Sequence, residues 1–528
     1  MKSFRGFLLG ACMFFSRGIF ALYCVVIIGF ASVASVYAAE EPLAKGVVTP
    51  RVVCVDHPEQ SYALYLPSNY SPDRKWPILY IFDPGARGSM PVILAKDAAE
   101  KYGFIVMGSN NSRNGPPKPE LDAATAIWSD SHFRFKIDER RVYFAGFSGG
   151  ARLATALALG CRDCAAGVIS SGAGFPLDKS PSAQTHFSYF ATIGMSDFNY
   201  PEAVVLAQQL DQLDLPHRLR RFDGYHEWAP AEVWFEALAW MNLLAMRQDR
   251  LALNPEFVSQ QFEAETRRAQ ELEKRGDIYA AWWEYRSVAS DFAGLRDVAS
   301  ITKHAEDLYH SPSLHHAEKQ EKEDFKEQQR LAGPIVSGMA ALAKGGRDQA
   351  QISQQLHGQS TELRVAKGEQ SLAGPIHLTT EALTDGAVGQ AEIRRQLHGQ
   401  ITVLRDAKER ERNEDRRRVI ERALGEVRSI AYGSAEDRMR ASDVALAAIY
   451  FELASEASPK ELWLLTKLAQ AQAQLGHKKD ALDALRRARG MGLDAESLRV
   501  FFRDSAEFAR YRDAPDFLKL LEDSTAKH

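Results

Sequence analysis

The chain has 528 residues, of which 45% are hydrophobic and 25% charged, and a formal net charge of −4 at pH 7. That length exceeds one ordinary hydrophobic core and implies two or three domains. The apolar content excludes a disordered chain, and the faintly acidic balance excludes a protein that binds nucleic acid by neutralising phosphates.

Residues 1–38 carry Lys2, Arg5 and Arg17, no acidic residue, and an apolar stretch from Ile19 to Val36 that closes as Val36-Tyr37-Ala38. Small residues at the first and third places before a cut suit signal peptidase, so we expect a secretory signal ending near Ala38 and a periplasmic or secreted protein. A retained membrane anchor is the alternative, because the stretch approaches spanning length. The apolar run before the lipobox-like Leu9-Gly10-Ala11-Cys12 is too short to favour lipidation.

From 47 to 247 short β-rich runs alternate with helical stretches. The expected strands are Arg51 to Val55, Tyr62 to Leu66, Ile78 to Phe82, Phe104 to Met107, Val142 to Ala145, Gly167 to Ser170, Phe187 to Ile193 and Arg218 to Phe222. Near-continuous apolar strands separated by helices indicate an α/β domain with a mostly parallel sheet covered on both faces. The first two runs, separated only by Asp56 to Ser61, read as an antiparallel hairpin at the sheet edge.

The fifth run leads into Gly146-Phe147-Ser148-Gly149-Gly150 and then a small-residue helix with Ala151, Ala154, Ala156 and Ala158. A serine at the apex of a sharp strand-to-helix turn is a candidate nucleophile. A hydroxyl is a poor nucleophile at neutral pH and needs a base, which needs an orienting acid. In strand-turn-helix sites of this type the chain order is serine, acid, histidine. His226 follows the last strand and Asp197 follows the one before it, so Ser148, Asp197 and His226 form the candidate triad. Asp197 as a simple cap for the helix near Pro201, His226 as a surface histidine, and Asp214 or Asp223 as the acid are the competing readings. An oxyanion needs two backbone N–H donors. Gly149 supplies one by its place after the serine. Since Pro84 has none, Gly85, Ala86 or Arg87 supplies the other, with Ala86 chosen. Arg87 is expected to be solvated rather than to touch substrate. Phe198, Tyr200, Tyr225 and Trp228 offer an aromatic ligand surface or simply core packing.

Of the five cysteines, Cys12 and Cys24 lie in the leader. Cys161-Arg162-Asp163-Cys164, at a helix end in an exported chain, reads as a short-loop disulfide, ahead of reduced structural thiols or a catalytic pair. A zinc site would need two further ligands, which no neighbouring pair or histidine cluster offers. Cys54, on a strand, is expected to be buried.

After Arg247 strand-like runs cease. Glu263 to Phe292 reads as two helices around Arg275-Gly276-Asp277, and Glu461 to Arg489 as two more around Leu475-Gly476-His477. In each, an alanine five residues after the turn glycine (Ala281, Ala481) and a large residue nine after it (Tyr285, Leu485) match the close-packing positions of a tetratricopeptide-like hairpin. Between them Leu331-Ala332-Gly333-Pro334-Ile335 recurs as Leu372-Ala373-Gly374-Pro375-Ile376, and Gln355-Leu356-His357-Gly358-Gln359 as Gln396-Leu397-His398-Gly399-Gln400, both displaced by 41 residues. The Gly-Pro pairs imply a helix stop and restart, making each unit a helical hairpin. His357 and His398, recurring with the repeat, read as packing or surface residues. Glu318 to Arg330 and Lys408 to Arg418 read as solvated helix faces or linkers. The organisation expected is therefore 1–38 signal, 47–247 hydrolase-like domain, 255–310 helical hairpin, 311–430 charged helical region with the repeats, and 431–528 terminal helices.

The run Asp138-Glu139-Arg140-Arg141-Val142-Tyr143 into Gly146-Phe147-Ser148-Gly149-Gly150, then Gly194 with Asp197, then Gly224-Tyr225-His226-Glu227-Trp228 resembles the α/β-hydrolase superfamily, and within it secreted esterases related to polyhydroxybutyrate depolymerases and feruloyl esterases. The resemblance covers roughly Val47 to Arg247 and implies an ester hydrolase with a Ser148, Asp197, His226 triad. The His-Gly usual at the family's oxyanion turn is replaced here by Asp83-Pro84-Gly85. The helical half resembles tetratricopeptide proteins in its outer hairpins only. The reading is an exported serine esterase acting on a small-molecule ester, with no cofactor, metal or nucleic acid, a protein partner for the helical repeats, and membrane contact only if the leader is retained. A serine peptidase with the same triad, and an interaction protein with an inactive hydrolase-like domain, are the alternatives.

Overall fold

The computed structural model of the chain describes residues 43–162, 164–343 and 386–522. The expected leader, with its lipobox, and the Leu372 to Ile376 and Gln355 to Gln359 motifs lie outside these residues.

Eight strands form one sheet: β1 (Val48–Val53), β2 (Ser61–Tyr65), β3 (Trp76–Phe82), β4 (Ile105–Ser109), β5 (Ile137–Phe147), β6 (Ala165–Ser171), β7 (Ser188–Gly194) and β8 (His217–Phe222). Their order is β1-β2-β4-β3-β5-β6-β7-β8. β1 and β2 pair antiparallel, β2 joins β4 antiparallel, and every later pairing is parallel. The sheet is mostly parallel, as expected of the α/β domain, and each expected run overlaps one of its strands, although β1 ends at Val53 and leaves Cys54 and Val55 beyond it. β3, β6 and β7 are buried along their whole length, as strands must be when helices cover both faces. The covering helices are α1 (Ser89–Tyr102), α2 (Pro117–Arg134), α3 (Gly149–Gly160), α4 (Tyr200–Gln212) and α5 (Ala231–Arg247).

Among the described residues ten longer helices follow: α6 (Pro255–Lys274), α7 (Ile278–Phe292), α8 (Ala299–Tyr309), α9 (Pro312–Ala343), α10 (Gly386–Arg410), α11 (Glu414–Arg440), α12 (Val444–Ala457), α13 (Leu462–Leu475), α14 (Lys478–Gly490) and α15 (Ala495–Asp504). The α6–α7 turn passes through Gly276 at φ 85° and the α13–α14 turn through Gly476 at φ 81°, a region that favours glycine. Asp277 then caps α7 by accepting the Ala280 N–H at 3.2 Å. Ala281 and Ala481 are fully buried, with Tyr285 and Leu485 beside them in their cores.

The expected stop at Gly333-Pro334 is corrected: α9 runs through Pro334 to Ala343. Proline removes one helical hydrogen bond and crowds the preceding turn, at a cost of about 3 kcal/mol. Leu331, Ala332, Ile335 and Met339 are buried in one core with α10–α13. Each large apolar side chain so buried contributes roughly 1.5–3 kcal/mol, enough to hold the helix continuous. Gln396 to Gln400 likewise lies inside an unbroken α10, so neither described copy forms a hairpin at its motif.

Candidate active site

β5 ends at Phe147 and α3 begins at Gly149, so Ser148 alone must redirect the chain. Its backbone sits at φ 53°, ψ −119°, strain of order 1–3 kcal/mol for a residue with a side chain. The glycines around it are required by packing. A Cβ on Gly146 would lie 2.0 Å from the Gly150 carbonyl oxygen, and one on Gly150 2.1 Å from the Phe82 oxygen. The start of α3 is therefore pressed onto β3 and β5, and the serine is pushed to the apex.

His226 Nε2 lies 2.9 Å from Ser148 Oγ, and its Nδ1 lies 3.0 and 2.9 Å from Asp197 Oδ1 and Oδ2. The Asp197 side chain is fully buried and that of His226 is 12% exposed. Asp197 Oδ1 also accepts the Asn199 N–H at 2.8 Å within the loop before α4, and α4 has no side-chain cap, so the reading of Asp197 as a simple helix cap is not what the structure places there. Of the rival acids, Asp223 is exposed and faces Arg418 at 3.5 Å, while Asp214 sits in the α4–β8 turn at φ 52°. Phe147 and Phe198 flank the imidazole at ring-centre distances of 4.6 and 4.4 Å. Trp228 is buried against Phe147, Tyr200 is buried as well, and Tyr225 is exposed.

The turn after β3 is organised by Asp83, whose side chain is fully buried. It accepts from Gly85 N–H (2.8 Å), Arg87 Nε (2.9 Å) and Nη2 (3.0 Å), and Trp228 Nε1 (2.8 Å). Burial works to raise the Asp83 carboxyl, but bonds from Arg87, Trp228 and Gly85 outweigh it and hold the group below the usual carboxylate range. Arg87 thus pairs with Asp83 while its side chain stays 54% exposed, in keeping with its expected solvation. The expectation for Ala86 changes. At φ 59° its N–H turns back onto the Asp83 carbonyl at 3.1 Å, so Gly85 and Ala86 are both engaged within the turn. The Arg87 N–H is the one of the three with no partner among the described residues. Gly149 lies against Asn114, whose Oδ1 would be 1.8 Å from a Cβ there. Asn114 in turn donates its N–H to the Pro84 carbonyl at 2.9 Å.

Because the folded Asp83 carboxyl titrates below its unfolded value of about 3.9, its contribution is complete above that pH and is lost as pH falls through the folded value. Asp83→Asn should cost about 1–3 kcal/mol at pH 6. The gap to wild type in urea unfolding should narrow by pH 3; a gap independent of pH would refute the assignment.

Cys161 and Cys164, just past the end of α3, are joined as a disulfide with Cα atoms 5.6 Å apart, and Cys54 is free and buried. Burial pushes the Cys54 thiol up to about 12, which suits a packed side chain and not a nucleophile. His398, Glu452 and Glu456 form the group of metal-ligating type among the described residues. His398 Nδ1 bonds Glu456 at 2.5 Å and the Arg394 guanidinium bonds Glu452, so each carboxylate already has a partner within the group. A cavity of about 830 Å³ lies between α4 and α7–α9, with Trp282, Trp283 and Tyr309 in its wall; none of the candidate site residues lines it. No described helix is long and apolar enough to cross a membrane.

Sequence reasoning did not reach Asn114, the roles of Asp83 and Phe198, or the helical residues that touch the site. Each acts through a contact between segments distant in sequence, which no local pattern marks.

No family model matches the chain, and no curated protein matches it. Solved structures similar to part of it include the fluorophosphonate-binding serine hydrolase FphF of Staphylococcus aureus (14% identity, 34% of this chain and 92% of that one, TM-score 0.29). The S-formylglutathione hydrolase FrmB of the same organism aligns at 14% identity over 38% of this chain and 98% of that one, with a TM-score of 0.31. A ferulic acid esterase aligns at 16% identity over 36% of this chain and 93% of that one, also at 0.31.

Proposed function

We propose that the chain is an exported serine hydrolase that cleaves carboxylic esters. The observation that carries this reading is the unbroken hydrogen-bond chain from Ser148 Oγ through His226 to the buried Asp197, set at a strained backbone apex. With the imidazole proton on Nδ1 and held by Asp197, the Nε2 lone pair faces the hydroxyl. Ser148 Oγ attacks the ester carbonyl carbon as Nε2 takes its proton. The tetrahedral oxyanion is met by the Gly149 N–H, with a second donor from the turn of residues 84–88. The intermediate collapses, Nε2 returns the proton to the departing alcohol, and the acyl group stays on Oγ. Water then attacks by the same proton relay, releasing the acid and restoring the serine. No step calls for a metal or organic cofactor. Export rests on the leader-like residues 1–38 together with the Cys161–Cys164 disulfide, a bond that persists in oxidising compartments.

The test is fluorophosphonate labelling of the intact protein, followed by hydrolysis of matched p-nitrophenyl esters and p-nitroanilides. Stoichiometric labelling with ester turnover well above anilide turnover is expected. Preference for the anilide would make it a peptidase, and an unlabelled, inert protein would leave the helical half as its working part and end the enzymatic reading.

A further inference from the structure

The loops that carry the candidate acid and base are held by the helical region as well as by the sheet. The acid loop, residues 195–200, receives Arg422 Nε on the Met195 carbonyl at 2.7 Å and Gln328 Nε2 on the Phe198 carbonyl at 3.0 Å. The Arg422 guanidinium also lies 3.7 Å from the centre of the Tyr200 ring, and Tyr200 OH donates to Glu321 at 2.9 Å. One side chain reaches both loops. Glu421 on α11 accepts Ser196 Oγ–H on Oε2 at 2.8 Å and Tyr225 O–H on Oε1 at 3.2 Å. Ser196 directly precedes Asp197, and Tyr225 directly precedes His226.

From this we infer that Glu421 is a positioning residue for the candidate triad: its carboxylate ties the acid loop to the histidine loop and sets the Asp197–His226 pairing from more than 190 residues away in sequence. The inference rests on the triad reading of the previous section. An ordinary helix-surface glutamate pairs with a cation one turn away, and Arg417 and Arg418 stand at the right spacing. Yet Glu421 forms no ion pair among the described residues, while Arg418 turns to Glu414, Asp415 and Asp223. Both carboxylate oxygens are used on hydroxyls, each adjacent to a triad member. α11 approaches closely there too: a Cβ on Gly425 would sit 3.5 Å from the Phe198 Cβ, and Phe198 is the ring lying on His226. A carboxylate suits this task because it accepts twice without donating, and Ser196 and Tyr225 each have one proton to give.

The experiment uses the full chain and a p-nitrophenyl ester. Glu421→Ala should lower kcat by roughly 10- to 100-fold with KM within about twofold of wild type, as expected when a catalytic pair is misplaced by a fraction of an ångström. Glu421→Gln, which keeps one acceptor, should recover part of the loss. On an Asp197→Ala background, Glu421→Ala should cost less than about twofold, since there is no longer a pairing to position. Should Glu421→Ala fold poorly, Tyr225→Phe combined with Ser196→Ala removes the same bonds from the other side and should reproduce the fall in kcat. Wild-type kcat in the variants, or an equal loss with and without Asp197, overturns the inference. A wild-type protein that neither labels nor turns over ester is a different result, because it removes the functional reading itself.

Discussion

Replacing Ser148 by alanine is expected to reduce ester turnover on the order of 10⁴- to 10⁶-fold, with unfolding by urea little changed. The size follows from the arrangement. On the proposed reading Ser148 supplies the atom that bonds to the acyl group, and its Oγ is the hydroxyl that the imidazole Nε2 meets, at 2.9 Å. Asp197→Asn should cost about 10⁴-fold in kcat, because an amide presents the wrong group to Nδ1 and favours the wrong tautomer. The double variant should be no worse than Ser148→Ala alone, since the residues act as a unit. Steady-state kinetics with a p-nitrophenyl ester and fluorophosphonate labelling check this. Turnover by Ser148→Ala within tenfold of wild type would place the chemistry elsewhere.

The second large effect concerns stability. Arg218 and Arg220 project from β8 with side chains only 2% and 3% exposed. Arg218 bonds Asp291 at 2.7 Å, Glu265 at 2.8 Å and Glu284 at 3.1 Å; Arg220 bonds Glu284 at 2.5 Å and Glu265 at 3.0 Å, and also pairs with Glu236. Glu265 comes from α6, and Glu284 and Asp291 from α7, so this buried network fastens the first helical hairpin to the edge of the sheet. Burial alone would raise the Glu265 carboxyl, yet Arg218 and Arg220 hold it far below its ordinary range. Removing Glu284 takes a carboxylate from both arginines but leaves Asp291 and Glu265 on Arg218 and Glu265 and Glu236 on Arg220, so the loss falls at the low end of the about 3–5 kcal/mol of a broken buried pair, whereas replacing a buried pair by apolar residues is often neutral. Glu284→Ala should therefore lower unfolding free energy by about that amount. Adding Arg220→Met should restore a good part of it. Urea unfolding followed by tryptophan fluorescence measures both. A loss below about 1 kcal/mol in the single variant would mean that the hairpin is held by its apolar contacts alone.

Much of the α/β part was legible in the chain because its signals are local. A strand buried on both faces is mostly apolar, and β3, β6 and β7 are, with Ser170, Ser171, Ser188 and Thr192 as buried polar residues of the last two. A close strand-to-helix turn demands glycine where backbones touch, which is why Gly146 and Gly150 bracket the serine. Asp197 and His226 could be named from their positions after successive strands, since parallel strands deliver the loops at their C-terminal ends to one edge of the sheet. The helical half was read less well. Gly333-Pro334 looked like a stop, but burial of Leu331, Ile335 and Met339 against other helices outweighs the local penalty.

Residue order by itself thus determined the strands, the sharp turn at Ser148 and the residues available to act with it, because backbone sterics and side-chain periodicity operate over a few neighbours. Tertiary structure alone decided that Asp83 locks the turn after β3 to Trp228, that two arginines of β8 are buried among carboxylates of α5, α6 and α7, and that Glu421 reaches Ser196 and Tyr225. Those contacts join residues from 16 to 225 positions apart. Their energy depends on desolvation and exact approach, quantities that come into being only once the chain has packed.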